Sequence, residues 1–224
     1  MPVFRLGPDP IFPDPALAEP EGLLAFGGDL TPERLMAAYR LGIFPWYEPG
    51  GPILWWSPDP RLVLPLGEFR PHRRLLRTIR QGRFETRFNT AFTQVIRACA
   101  QVPRRHEQGT WITPEMQEAY IRLHALGHAH CMETWRDGRL VGGIYGVRVG
   151  RCFCGESMFH VETDASKVAL AALVDRLSDE DVSLIDCQIA SEHLIGLGAR
   201  EISRKQFRMY LRPALTASSC RASR

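Results

Sequence analysis

The stretch "AHCMETWRDGRLVGGIYGVRVGRCFCGESMF", Ala129 to Phe159, decides the fold. It divides into "AHCMETWR", "LVGGIYGVRV" and "RCFCGESMF", which alternate or run apolar. Asp137-Gly138 joins the first two segments and Gly150 separates the last two. Asp-Gly between such runs is a strong hairpin signal, because a type I′ turn needs positive φ at both central residues. The stretch predicts an antiparallel meander.

Working outward, "DASKVALAALVDRL" places Leu170, Leu173, Val174 and Leu177 on one helical face. The run "SLIDCQIA" then reads as a strand, "SEHLIGLG" as a short helix, "REIS" as a strand and "RKQFRMYL" as a last helix. Before the meander lie three helical segments: "RPHRRLLRTIRQGRF", "TAFTQVIRACAQV" and "TPEMQEAYIRLHALG". The third has Thr113 as N-cap, Pro114 at its first position and Gly127 as its stop. A meander followed by alternating helix and strand is an α/β (α+β) pattern, a mixed sheet flanked by helices.

Residues 63–212 are expected to form this unit. Residues 1–62 stand apart as a small N-terminal domain, holding 12 of the 17 prolines and three of the five tryptophans. One clear helix is expected there, "TPERLMAAYRLG", with Thr31 as N-cap and Gly42 as its stop. The tail from Pro213 to Arg224 has little to bury and is expected to be disordered.

Composition sets outer limits. A chain of 224 residues, 45% hydrophobic and 24% charged, can bury a real core. The net charge of +3 is too small to imply a nucleic-acid or membrane partner by itself, so the placement of Lys and Arg must carry any such reading. The start lacks a signal-peptide pattern, and no run approaches the ~18 apolar residues of a membrane span. A cytoplasmic monomer with no membrane partner is expected. The six cysteines, Cys99, Cys131, Cys152, Cys154, Cys187 and Cys220, are scattered, which fits reduced thiols rather than a disulfide scaffold. "HAHC" and "CFC" lack a second C-x-x-C, so core cysteines are favoured over zinc and no metal is expected. "VGGIYG" and "GLGARE" fit neither a Walker loop nor a dinucleotide fingerprint, so no nucleotide cofactor is expected.

Four features could carry chemistry. Asp186 and Gln188 interrupt an apolar strand and, with period two, project the same way. A strand end emerging into water would explain them equally well. Glu156 lies among Phe153, Met158 and Phe159, where a carboxylate needs a cation or hydrogen bonds unless the pleat exposes it. Trp46 and Trp111 sit in loop-like surroundings where a ring could stack on a base, whereas Trp55 and Trp56 read better as packing. Arg70, Arg73, Arg74, Arg77, Arg80 and Arg83 form a one-sign stripe with His72 and no acidic residue, which points to phosphate contact.

Laid end to end, "EPEGLLAFGGDLTPERLMAAYRLGIFPWYEPGGPILWWSPDPRLVL", "GTWIT", "AYIRLHALGHAH", "LVGGIYG", "FCGESMF", "ASK" and "LIDCQ" resemble the bacterial leucyl/phenylalanyl-tRNA–protein transferase family, from about Phe12 to Leu211. The resemblance implies transfer of Leu or Phe, and Met as a further candidate, from aminoacyl-tRNA to an N-terminal Arg or Lys, tagging that protein for degradation. It also implies a catalytic domain of the GCN5-related acetyltransferase type. By position it places the paired acid and amide on Asp186 and Gln188, the pocket acid on Glu156 and the adenosine-stacking rings on Trp46 and Trp111. The aminoacyl pocket would involve Phe153, Met158, Leu170, Leu177 and Ile185. Ile144 stands where relatives often have Met or Leu.

An aminoacyl ester is already activated, so attack by an amine requires alignment and proton management but no ATP or metal. The Gln188 amide oxygen can accept from the attacking amine if its NH₂ end is held. Asp186 is expected to hold that NH₂, or to accept the proton itself. Glu156 is expected to meet the acceptor's cation, and Arg73, Arg74, Arg77, Arg80 and Arg83 the tRNA phosphates. The rivals are an acetyl-CoA-dependent N-acetyltransferase, whose Gly-rich loop "GESMFHVETDAS" does not supply, and a non-catalytic RNA-binding module.

Overall fold

The computed structural model describes residues 3–102 and 111–216. The N-terminal part comprises β1 (Phe4–Leu6), β2 (Leu23–Gly27), α1 (Pro32–Arg40), β3 (Phe44–Pro45) and β4 (Leu54–Trp56). These strands form a four-stranded sheet in the order β1-β2-β4-β3, with β1 parallel to β2. Thr31 caps α1 by accepting from the Arg34 N–H, as its position before Pro32 predicts. The fully buried Trp55 donates its indole N–H to the Gly27 carbonyl at 2.9 Å. The sequence predicts one helix between turns here. The short strands are missed because each gathers its partners from a distance rather than from its own pattern.

The rest of the chain is built from β5 (Arg61–Pro65), α2 (Arg73–Arg80), β6 (Glu85–Phe88), α3 (Phe92–Gln101), α4 (Pro114–Ala125), β7 (Ala129–Arg136), β8 (Arg139–Val149), β9 (Cys152–His160), α5 (Ala165–Asp179), β10 (Leu184–Gln188), α6 (Glu192–Ile195), β11 (Arg200–Ile202) and α7 (Arg204–Thr216). Seven strands form one mixed sheet in the order β11-β5-β10-β9-β8-β7-β6. The β9–β10 pair is parallel and the other pairs are antiparallel. The meander β7-β8-β9 is the one its sequence predicts, and Asp137 and Gly138 have φ of 49° and 72° at its first turn.

Strand alternation divides the core. Ile144, Phe153 and Ile185 pack with Leu170, Leu173, Val174 and Leu177 of α5. Tyr145, Val147, Cys152 and Cys154 belong to the cluster that contains α3 and α4 side chains such as Val95, Ile96, Met116 and Tyr120. Glu133 is also fully buried, and it accepts from the backbone N–H groups of Thr90 (2.7 Å) and Ala91 (2.9 Å). Its carboxylate thereby serves the N-terminus of α3, whose own cap position, Ala91, has no side-chain acceptor.

In the seven-stranded sheet two strands escape the sequence reading. β6 is the polar "ETRF" at the sheet edge, and β5 begins at Arg61, so it straddles the expected 62/63 boundary. α7 continues to Thr216, so 213–216 are helical where a disordered tail was expected. Residues 217–224, with Cys220, lie outside the described residues. Cys131, Cys152, Cys154 and Cys187 carry free thiols. Among the described residues no helix is long and apolar enough to cross a membrane.

Candidate active site

Two β-bulges build the site. Between β8 and β9, Tyr145 pairs with Ser157 and Gly146 with Gly155, which leaves Glu156 as the extra residue. Gly146 permits this: a Cβ there would lie 2.2 Å from the Cys154 carbonyl oxygen and 2.5 Å from the Phe153 ring. Between β5 and β10, Asp186 pairs with Val63 and Gln188 with Leu62, which leaves Cys187 extra. Gln188 takes φ 68°, in the left-handed region that L-residues disfavour. Bulges re-aim side chains, so the simple period-two projection expected for Asp186 and Gln188 does not hold.

The re-aimed side chains meet. Gln188 Nε2 donates to Glu156 Oε1 at 2.8 Å, and the Tyr120 hydroxyl donates to Glu156 Oε2 at 3.0 Å. The Tyr39 and Tyr120 hydroxyls are hydrogen-bonded in turn. The expected bond from the Gln188 NH₂ group to Asp186 is not formed. Asp186 instead receives Arg61 Nε at 2.8 Å and Nη2 at 2.7 Å, and its Oδ1 accepts the Gln188 backbone N–H at 3.0 Å. With the strand bulged between them, the Asp186 carboxylate reaches the main chain of residue 188, and Glu156 holds its amide.

A cavity of about 310 Å³ opens beside this network. Glu156 and Gln188 line it together with Ile144, Met158, Leu170 and Ile185. Trp46 and Trp111 line it as well. Phe153, Leu177 and Asp186 do not: they are fully buried, Phe153 and Leu177 within the core on the α5 face. Asp186 therefore lies behind the cavity wall rather than on it. Trp56 packs against Trp46 with ring centroids 5.6 Å apart and donates its indole N–H to the Trp46 carbonyl at 2.7 Å. That contact supports one wall of the cavity.

Burial pushes the Glu156 carboxyl up to about 7; hydrogen bonds from Tyr39, Tyr120 and Gln188 oppose the rise and the Asp186 charge adds to it. Burial and the Glu156 charge also raise both tyrosine hydroxyls well above their ordinary range. For Arg61, burial works against the guanidinium charge, but Asp186 more than offsets it and the pKa is raised.

Arg73, Arg74, Arg77, Arg80 and Arg83 are all exposed, on α2 and just beyond its end. Arg74 approaches Asp164 at 3.5 Å, and the Arg83 guanidinium lies 5.8 Å from the Phe84 ring centroid. Sequence reasoning missed Arg61, Tyr39 and Tyr120 as neighbours of the site. The two tyrosines look like ordinary members of amphipathic helices, and Arg61 merely opens an apolar run. Only the β5–β10 pairing, across 125 residues, reveals its partner.

A family model described as "Leucyl/phenylalanyl-tRNA protein transferase" matches residues 63–212, and the model of that family's N-terminal domain matches residues 28–59. The chain belongs to this family. A leucyl/phenylalanyl-tRNA–protein transferase of Solidesulfovibrio magneticus is 57% identical over 207 residues, covering 92% of this chain and 84% of that relative. One from Anaeromyxobacter sp. is 54% identical over 221 residues, covering 99% and 95%. Among solved structures, a ribosomal-protein-alanine N-acetyltransferase from Brucella melitensis is 14% identical with a TM-score of 0.36, covering 50% of this chain and 84% of that one. The leucyl/phenylalanyl-tRNA–protein transferase family match contains the extra residue of each bulge, Glu156 and Cys187, and every side chain of the site described above lies within the matched segments except Arg61, which falls just between them.

Proposed function

We propose that this chain transfers leucine or phenylalanine, and methionine as a third donor, from aminoacyl-tRNA to the α-amine of proteins that begin with Arg or Lys. The observation that carries the reading is the Glu156–Gln188 hydrogen bond on the wall of a cavity with an apolar lining. Family membership supports it.

In this reading Ile144, Met158, Leu170 and Ile185 hold the donor side chain, and Trp46 and Trp111 stack on the terminal adenosine. Phe153 and Leu177 act from behind, by packing the wall. With its NH₂ end engaged by Glu156, the Gln188 amide presents its oxygen to the incoming amine and accepts a hydrogen bond from it. The carboxylate of Glu156 supplies negative charge for the acceptor's cationic group. The ester needs no further activation, so the protein contributes alignment and desolvation. An α-amine with a pKa of about 7.7 to 8.0 has an appreciable neutral fraction near pH 7, so only modest proton assistance is required. Arg73, Arg74, Arg77, Arg80 and Arg83 contact tRNA phosphates, and the enzyme works as a cytoplasmic monomer without a cofactor.

The test supplies labelled Leu-tRNA, Phe-tRNA, Met-tRNA or acetyl-CoA together with a peptide beginning with Arg. Label passing from aminoacyl-tRNA to the peptide supports the reading. Label passing only from acetyl-CoA makes the chain an acetyltransferase, and tRNA binding without any transfer makes it an RNA-binding module.

A further inference from the structure

Arg61 is a guanidinium buried to 1% exposure at the junction of three elements. Its central carbon lies 4.8 Å from the ring centroid of Phe44 on β3 and 4.8 Å from that of Phe207 on α7. Two aromatic faces thus bracket the cation and restrict where its fork can point. The fork meets both Asp186 oxygens, at 2.8 and 2.7 Å, a bidentate geometry that a lysine ammonium cannot reproduce.

The consequence passes down β10. Asp186 Oδ1 accepts the backbone N–H of Gln188 at 3.0 Å, and Gln188 is the residue held at φ 68° after the bulge. A left-handed conformation at a glutamine persists only where the surroundings over-determine it. The Gln188 side chain then ends on Glu156. The glutamine is therefore held at both ends: by Glu156 at the side-chain tip, and at the main chain by Asp186, which Arg61 holds in turn. Stability alone does not call for such a pair, because well-packed apolar residues in place of a buried ion pair are often neutral or stabilising.

We infer that Arg61 is a positioning residue for transfer: clamped between Phe44 and Phe207, it fixes Asp186, which fixes the main chain of Gln188 and hence the direction of its amide. Phe44 also lines the cavity, so the same clamp ties a wall of the donor site to the strand that carries Gln188. The inference rests on the role given to Gln188 in the proposed function.

The test is the double variant Arg61→Met with Asp186→Leu, which removes both charges and leaves neither one unpaired. The expected result is a folded protein by thermal unfolding and near-ultraviolet circular dichroism. The KM for aminoacyl-tRNA should stay within about threefold of wild type while kcat falls about a hundredfold or more, since only an alignment realised in the transition state is lost. A purely structural ion pair would be replaced without that split, so a kcat within about threefold of wild type overturns the inference. Should the double variant not fold, Arg61→Lys decides: kcat down about tenfold at an unchanged KM supports positioning, and an unchanged kcat overturns it. Gln188→Ala separates the two levels. If Gln188→Ala transfers at the wild-type rate, the role of Gln188 fails and the inference falls with it. If Gln188→Ala is impaired and the Arg61 variants are not, the inference alone fails.

Discussion

Gln188 and Glu156 meet across two β-bulges, with the glutamine amide donating to the carboxylate at 2.8 Å. Neither strand is regular at this point. Each gives up a residue of ladder pairing, and the pair so formed lies on the wall of the cavity. A carboxylate there is costly to ionise, and its neighbours are hydroxyl and amide donors rather than a cation.

The pH dependence of stability tests this environment. The Glu156 carboxyl is raised from 4.5 to about 7 by burial, so the folded state favours its protonated form. The contribution is fully present below about pH 4.5 and is lost as the pH rises through about 7, a window worth about 3 kcal/mol. Urea unfolding between those limits should show wild-type stability declining relative to Glu156→Gln. Parallel curves for the two proteins would refute the burial argument.

The same titration should shape catalysis. If the Glu156 carboxylate attracts the acceptor's cation, kcat/KM for an Arg-starting peptide rises through about pH 7 in the wild type. In Glu156→Gln the rise should follow only the α-amine, near pH 7.7 to 8.0, and the acceptor KM should increase more than that for aminoacyl-tRNA. Equal losses for both substrates would remove Glu156 from acceptor binding.

Gly146→Ala addresses the bulge that carries Glu156. Its methyl group would sit 2.2 Å from the Cys154 carbonyl oxygen, a backbone atom that cannot rotate away. Destabilisation of about 2 kcal/mol or more is expected in thermal unfolding, with transfer impaired in the fraction that folds. An unaltered melting temperature would mean that β8 and β9 can separate without cost.

Ile144→Ala enlarges the donor socket. Ile144 is 4% exposed and lines the cavity. The ratio of kcat/KM for Phe-tRNA over Leu-tRNA should rise by about tenfold, because a few methylenes in an apolar pocket discriminate on that scale. A ratio that does not move would place the donor side chain elsewhere.

The arginine stripe is best tested by salt. Arg77 and Arg80 are exposed on α2, and counterion release predicts that each phosphate contact removed lowers the logarithmic salt slope of tRNA binding by about 0.7 to 0.9. Titrations of Arg77→Ala and Arg80→Ala at several salt concentrations measure it. Slopes equal to wild type would make both residues part of a solvated helix face.

What the sequence by itself determined is local. Thr31 and Thr113 each accept from the N–H three residues on, at 3.4 and 3.3 Å, because a cap needs only a hydroxyl and a proline next to it. The Asp137-Gly138 turn and the one-sided face of α5 follow from the same short-range rules. Tertiary structure alone decided which residue does what. Period two puts Asp186 and Gln188 side by side, but the bulge at Cys187 exists only because β10 is gripped by β5 on one side and β9 on the other. That register hands the Gln188 amide to Glu156 and the Asp186 carboxylate to Arg61, 125 residues away. No pattern within a strand encodes such an exchange, since it is set by how three strands align.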